Sequence, residues 1–214
     1  TEIYTLSYTT LFRSSYIKRN LPNMRLYLTS GRNNPIADFL RSSANTDFKD
    51  IHIDLKSSPL TGINGDAHIY SLNADSTRID TIRLHLKDTE RGLTYQGEVS
   101  NNRRNPQFVF RALVDGRIHE HGALAGVRYY DDKGQMGLRL GATAAMVDNG
   151  LQFQFLPERP TIGYKEFNLN KDNFLLIHKN LRLEAKINLI ADDGTGVKVY
   201  SESQGRGRDL LGDS

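Results

Sequence analysis

Two histidines, His119 and His121, flank Glu120. On an extended strand alternate side chains share a face, so both rings would point one way and could ligate a metal through imidazole nitrogen. The spacing supplies no third ligand and sends Glu120 to the opposite face, so the pair reads as solvated histidines. The acidic segments Asp131-Asp132-Lys133-Gly134, Asp148-Asn149-Gly150 and Asp192-Asp193-Gly194 resemble pieces of calcium loops. None has the alternating ligands and closing glutamate of an EF-hand, so all three read as hairpin turns. No glycine-rich phosphate loop, GxSxG elbow or HExxH pair occurs. The chain has no cysteine, which removes disulfides, thiolate metal sites and thiol nucleophiles. With no nucleophile, base and orienting group in one pattern, the sequence predicts a protein that is not an enzyme and uses no cofactor or metal.

The bulk properties agree with a binding or structural role. Of 214 residues, 38% are hydrophobic and 25% charged, and the net charge is +3 with the signs interspersed. Nucleic-acid binding calls for a clustered basic face, and the densest basic groups here, Arg103-Arg104 and Arg206-Gly207-Arg208, sit among Asn, Gly and Asp. No nucleic-acid partner is expected. No apolar run approaches the ~18 residues of a membrane span. The chain begins at Thr1 without a secretory signal and reads as a piece of a longer protein.

The elements that would position any function are strands. Ile51, Ile53 and Leu55 alternate with His52, Asp54 and Lys56; Ile82, Leu84 and Leu86 alternate with Arg83, His85 and Lys87. Leu93, Tyr95 and Val99 follow, then Phe108, Phe110, Ala112 and Val114. Later runs are Met136 to Met146, Leu151 to Phe155, Leu181 to Leu189, and Val197 with Val199. Period two marks strands with one dry and one wet face. Turn chemistry separates them at Asp115-Gly116, Asn101-Asn102, Pro157-Glu158-Arg159-Pro160 and the three acidic segments. Strands joined by tight turns are antiparallel neighbours, so residues 92–202 predict a meander. Residues 3–12 and 24–30 also read as strands. Glycines inside strands, among them Gly97, Gly122, Gly126, Gly137 and Gly141, favour bending. One helix is predicted near residues 35–43, with Asn34 as N-cap, Pro35 at the first position, and Ile36, Phe39 and Leu40 on one face. It would shield an open end or edge of the sheet. The fold class is all-β: one long antiparallel meander in a curled sheet, in a single β-rich segment with a flexible tail at 203–214. The apolar faces by themselves fit a packed core somewhat better than an open groove.

Residues 90–202 resemble the TamB family, the AsmA-like inner-membrane component of the translocation and assembly module, in its Bacteroidetes form. The matching pieces are Gly92-Leu93-Thr94-Tyr95, Gly150-Leu151-Gln152-Phe153-Gln154-Phe155-Leu156-Pro157, Phe167-Asn168-Leu169-Asn170-Lys171-Asp172-Asn173, and Ala191-Asp192-Asp193-Gly194-Thr195-Gly196-Val197-Lys198-Val199-Tyr200-Ser201. The first half of the chain matches less well. The resemblance implies an internal periplasmic segment of a long, inner-membrane-anchored protein. Its sheet would fold into a taco-shaped trough that carries phospholipid toward the outer membrane, and an outer-membrane barrel would be the partner through other parts of the full-length protein. On that reading, acyl chains would contact Leu138, Leu140, Leu151, Phe153, Phe155, Leu183, Ile187, Leu189, Val197 and Val199. Two further readings stay open: a scaffold for assembly of outer-membrane proteins working through its sheet edges, and a carbohydrate-binding or adhesin β-sandwich. An excised sheet also exposes unpaired edges, which makes edge-to-edge self-association an expectation.

Overall fold

The computed structural model describes residues 18–201. They form one antiparallel sheet of fifteen strands and a helix. The first half contains β1 (Met24–Gly31), α1 (Pro35–Ala44), β2 (Thr46–Asp47), β3 (Asp50–Ser58), β4 (Gly62–Ala74), β5 (Thr77–Thr89), β6 (Gly92–Asn101) and β7 (Phe110–His119). The second contains β8 (Gly122–Tyr130), β9 (Met136–Val147), β10 (Gly150–Ile162), β11 (Lys165–Glu166), β12 (Asn168–Leu169), β13 (Phe174–His178), β14 (Leu183–Ile190) and β15 (Gly196–Tyr200). From edge to edge the order is β1-β3-β4-β5-β6-β7-β8-β9-β10-β13-β14-β15. Short β2 pairs with β4, β11 with β10, and β12 with β14. The sheet is open and curled, as the sequence predicts. At about 4.8 Å between neighbours, the twelve strands span about 50 Å across the sheet. Thirteen-residue strands such as β4 and β5 would reach about 44 Å if straight.

Register fixes which residues share a face, because paired Cα positions send their side chains to the same side. One row crosses the sheet as Ile51, Ile69, Ile82, Val99, Ala112, Tyr129, Leu138 and Ile162. A second row, two residues along, is Leu28, Ile53, Ala67, Leu84, Gly97, Val114, Val127 and Leu140. The opposite face carries His52, His68, Arg83, Glu98, Leu113, Arg128 and Arg139 along one such row. Cross-strand pairs knit it together: Arg25–Asp54 at 2.8 Å, His85–Asp66 at 2.7 Å, Arg111–Glu98 at 3.2 Å and Arg128–Asp115 at 2.6 Å. Exposed pairs of this sort are screened by solvent, so they order the wet face more than they stabilise the fold.

The helix forms where its caps are. Asn34 Oδ1 accepts from the backbone N–H groups of Ile36 and Ala37 at 3.0 and 3.1 Å, and Asn45 closes the other end in the left-handed region. Its contact face differs from the expected one. Ala37 and Leu40 pack inward, whereas Ile36 and Phe39 are 43% and 66% exposed. Ala37, Phe48 and Ile51 make the buried cluster, with Leu28, Leu40, Ile53, Ile69 and Leu72 against it. Since Ile51 and Ile53 belong to the apolar rows, α1 sits on the apolar face at the β1 end of the sheet, over β1, β3 and β4.

Other expectations are corrected. Asp115-Gly116 is not a turn but the middle of β7, where Asp115 pairs with Arg128 across to β8. The Pro157–Pro160 segment does not end its strand: β10 runs through it and resumes register with β9 at Thr161–Arg139 after a bulge. Phe108 and Leu181 lie outside their strands, which begin at Phe110 and Leu183. The strand at 24–30 is β1; residues 3–12 and the tail at 203–214 lie outside the described residues.

The turns at the far end are tied by charge. Lys165 Nζ, after β10, donates to Asp193 Oδ2, between β14 and β15, at 2.6 Å. That bond, with those from the Thr195 backbone and side chain, lowers the Asp193 pKa from 3.8 to about 2. A depressed carboxylate pKa supports the fold above about 3.8 and loses that support as pH falls toward 2. An NMR titration is expected to place the Asp193 midpoint near 2 and to return it toward 3.8 in Lys165→Met. An unchanged midpoint in the variant would show that the lysine is not the cause.

Candidate functional site

All ten residues assigned to an acyl-contacting lining fall on the apolar face. Leu138 and Leu140 occupy the rows above. Phe153 and Phe155 oppose Ala144 and Ala142, and Leu151 opposes Met146. Leu151 in turn opposes Ile177, which opposes Leu183. Ile187 opposes Val199 and Leu189 opposes Val197. Period two puts Leu183, Ile187 and Leu189 on one side of β14, so the face continues to the sheet edge.

The first half of the chain extends the same surface, which the ten-residue assignment leaves out. Leu26, Leu55, Leu86 and Tyr95 form a row that continues through Ala125 and Ala142 to Phe155. Gly65 and Gly116 fill the gaps between them. Gly116 is what lets Tyr95 lie flat. A side-chain carbon at 116 would come within 2.4 Å of the Tyr95 hydroxyl and 2.1 Å of the Leu124 carbonyl. The phenol reaches over β7 and donates to that carbonyl at 3.4 Å. Burial against the face, helped by the Asp115 charge, raises the Tyr95 pKa. The signal for these residues was already present as the alternation at 51–55 and 82–86.

Little covers this face. Among the described residues only seven hydrophobic side chains are buried. A second sheet would bury every inward residue of two faces, as in a sandwich. Instead Ile53, Leu84, Leu86, Val127, Leu138 and Leu140 are half-buried, Val114 is exposed, and α1 with Phe48 covers one corner. At the opposite ends of the strands, Leu21, Ile63, Leu93 and Ile118 line a cavity of ≈ 370 Å³, with Lys18 paired to Asp88 at 3.2 Å on its rim. Near the other strand ends, aromatic rings continue the surface: Phe108 stacks on Phe110 at 5.0 Å, and Phe110 on Tyr129 at 6.1 Å.

The two histidines singled out in the sequence are not brought together as a ligand pair. His119 ends β7, and Glu120-His121 make the two-residue turn to β8, so the histidines do not share a strand face. The His121 backbone N–H points at His119 Nδ1 at 3.4 Å. Among the described residues no three His, Asp or Glu side chains are grouped to hold a metal ion. A ≈ 460 Å³ hollow on the polar face lies among Arg83, His85, Glu98, Arg111, Asp115 and Arg128, whose charges largely answer one another. The arrangement can offer a hydrocarbon-like strip on one side and a water-compatible lattice on the other. No helix among the described residues is long and apolar enough to cross a membrane. Neither a protein-family model, nor a curated protein, nor a solved structure matches this chain.

Proposed function

We propose that the chain is a non-catalytic conduit segment that carries phospholipid acyl chains along its apolar face, as its resemblance to the TamB family implies. The observation supporting this reading is the continuity of the apolar face across twelve strands, with no second sheet laid over it among the described residues. An acyl chain crossing water exposes methylenes at about 0.8 kcal/mol each. A ~14-methylene chain would face about 11 kcal/mol, and a continuous apolar strip lowers that barrier without nucleotide or covalent chemistry. The strip, about 50 Å across the strands, exceeds the ~15 Å that a single leaflet gives to a tail. A long periplasmic protein anchored in the inner membrane, with an outer-membrane barrel partner, is the setting that the same resemblance implies.

Site-specific photocrosslinking tests the reading. A photoreactive residue at Leu84, Leu140 or Ile187 is expected to capture lipid, and one at the neighbouring Arg83, Arg139 or Lys186 is not, because each neighbour points to the opposite face. Equal labelling of both sets, or no lipid adduct at any lining position, would overturn it. Protein-assembly scaffolding through the sheet edges would instead recover barrel clients and no lipid.

A further inference from the structure

We infer that β15 of one copy pairs with β1 of another, so that the apolar face continues from copy to copy. Among the described residues each of these strands has a neighbour on one side only: β3 for β1 and β14 for β15. All five residues of β15 are exposed, with Val197 at 57% and Val199 at 42%, and neither ladder is broken by a bulge. Exposed, regular edges are templates for strand addition.

Three features select this pairing over others. The first is polarity. Every step of the twelve-strand path is antiparallel, so β15 runs opposite to β1, and a copy translated along the sheet presents an antiparallel partner. The second is facing. Leu26 and Leu28 on β1, and Val197 and Val199 on β15, lie on the same apolar face, so the join leaves no side reversed. The third is register. The row from Leu26 reaches Phe155, whose backbone N–H and carbonyl bind the Asn173 side chain at 2.7 and 3.2 Å; beyond it lie Ile187 and Val199. Continuing the rows sets Val199 opposite Leu26 and Val197 opposite Leu28. On the polar face it sets Lys198 opposite Tyr27 and Tyr200 opposite Arg25. An ammonium against a tyrosine ring and a guanidinium beside another are favourable cation–π partners.

The backbone of β15 is ready for the partner. The Ser201 N–H donates to the Ala185 carbonyl at 2.9 Å, and period two turns the Val199 and Val197 groups toward β14 as well. The N–H groups of Gly196, Lys198 and Tyr200 therefore face outward. Because the contact joins two different edges, it does not close on itself and generates open chains. Its occurrence does not depend on what the apolar face carries.

The 214 residues contain no cysteine, which makes a direct test available. Directly opposed positions of an antiparallel pair lie within disulfide reach. Under mild oxidation at high protein concentration, a chain bearing both Leu26→Cys and Val199→Cys is expected to give a ladder of covalent dimers, trimers and longer species. Each single variant alone is expected to give none, and an equimolar mixture of the two singles to give one dimer and nothing larger. Adding Lys198→Pro, which removes an outward N–H and leaves the β14 bonds in place, is expected to abolish both ladder and dimer; circular dichroism would verify that the sheet persists. Self-dimers of either single variant would mean that like edges pair, and monomer throughout would mean that the edges do not pair; both overturn the inference.

Discussion

Leu140→Asp is expected to reduce the lipid recovered with the purified chain by about tenfold or more, whereas Arg139→Asp is expected to leave it unchanged. Leu140 opposes Val127 within the apolar face, and Arg139 opposes Arg128 on the other side of the same strand. A carboxylate pressed against an acyl chain gives up hydration without a partner, at a cost of several kcal/mol. A tenfold change requires only about 1.4 kcal/mol, so the effect should be plain even if the tail shifts to avoid the charge. In the unloaded protein the half-buried position keeps the carboxylate wet, so the far-ultraviolet circular dichroism of the variant should match the parent. Quantitative mass spectrometry of organic extracts, with both variants prepared alike, provides the measurement. Parallel losses from 139 and 140, or no loss from either, would remove the apolar face from any lipid role.

The second large effect concerns stability. Phe48→Ala is expected to cost about 3–5 kcal/mol, the usual range for deleting a buried aromatic ring. Phe48 is 0% exposed and joins α1 to the apolar face through Ala37 and Ile51. Most of the sheet has no comparable core, so this cluster contributes disproportionately to the end formed by β1, β3 and β4. Urea unfolding should show the loss, and hydrogen exchange should place the opened amides in α1 and β1 to β4 first. Phe39→Ala, on α1 itself, is expected to shift stability by no more than about 0.5 kcal/mol because that ring faces water. A Phe48→Ala variant within 1 kcal/mol of the parent would show that the helix is a dispensable cover.

The contrast between Phe48 and Phe39 illustrates how far the sequence could be read. Helix limits were legible because Asn34, Pro35 and Asn45 act on their nearest neighbours. The buried face was not, because Ile36, Phe39 and Leu40 satisfy helical spacing as well as Ala37 and Leu40 do, and only the shape of the sheet corner prefers the small alanine. Asp115-Gly116 has the composition of a tight turn. Here it is the cross-strand pairing of β7, with Tyr95 lying over Gly116, that holds it extended. His119 and His121 show the reverse case, where continuing a strand by two residues would have aligned rings that a turn instead separates. For the ten residues named as candidate acyl contacts, period two puts neighbours on one side of each strand, as the registers do; it could not by itself join β9, β10, β14 and β15 into one surface.

Alternation of side chains is a local property, and the sequence alone determined it: an all-β chain of long antiparallel strands, each with one dry face, one short capped helix near residue 35, and no cysteine chemistry. Tertiary structure decided what pairing between distant residues must decide. It set the registers that merge twelve dry faces into one, sent the sheet into an open curl rather than a sandwich, and put α1 and Phe48 on the apolar side. Backbone pairing and side-chain packing are summed over residues far apart in the chain, so a pattern that fixes which way each side chain points leaves undetermined what lies opposite it.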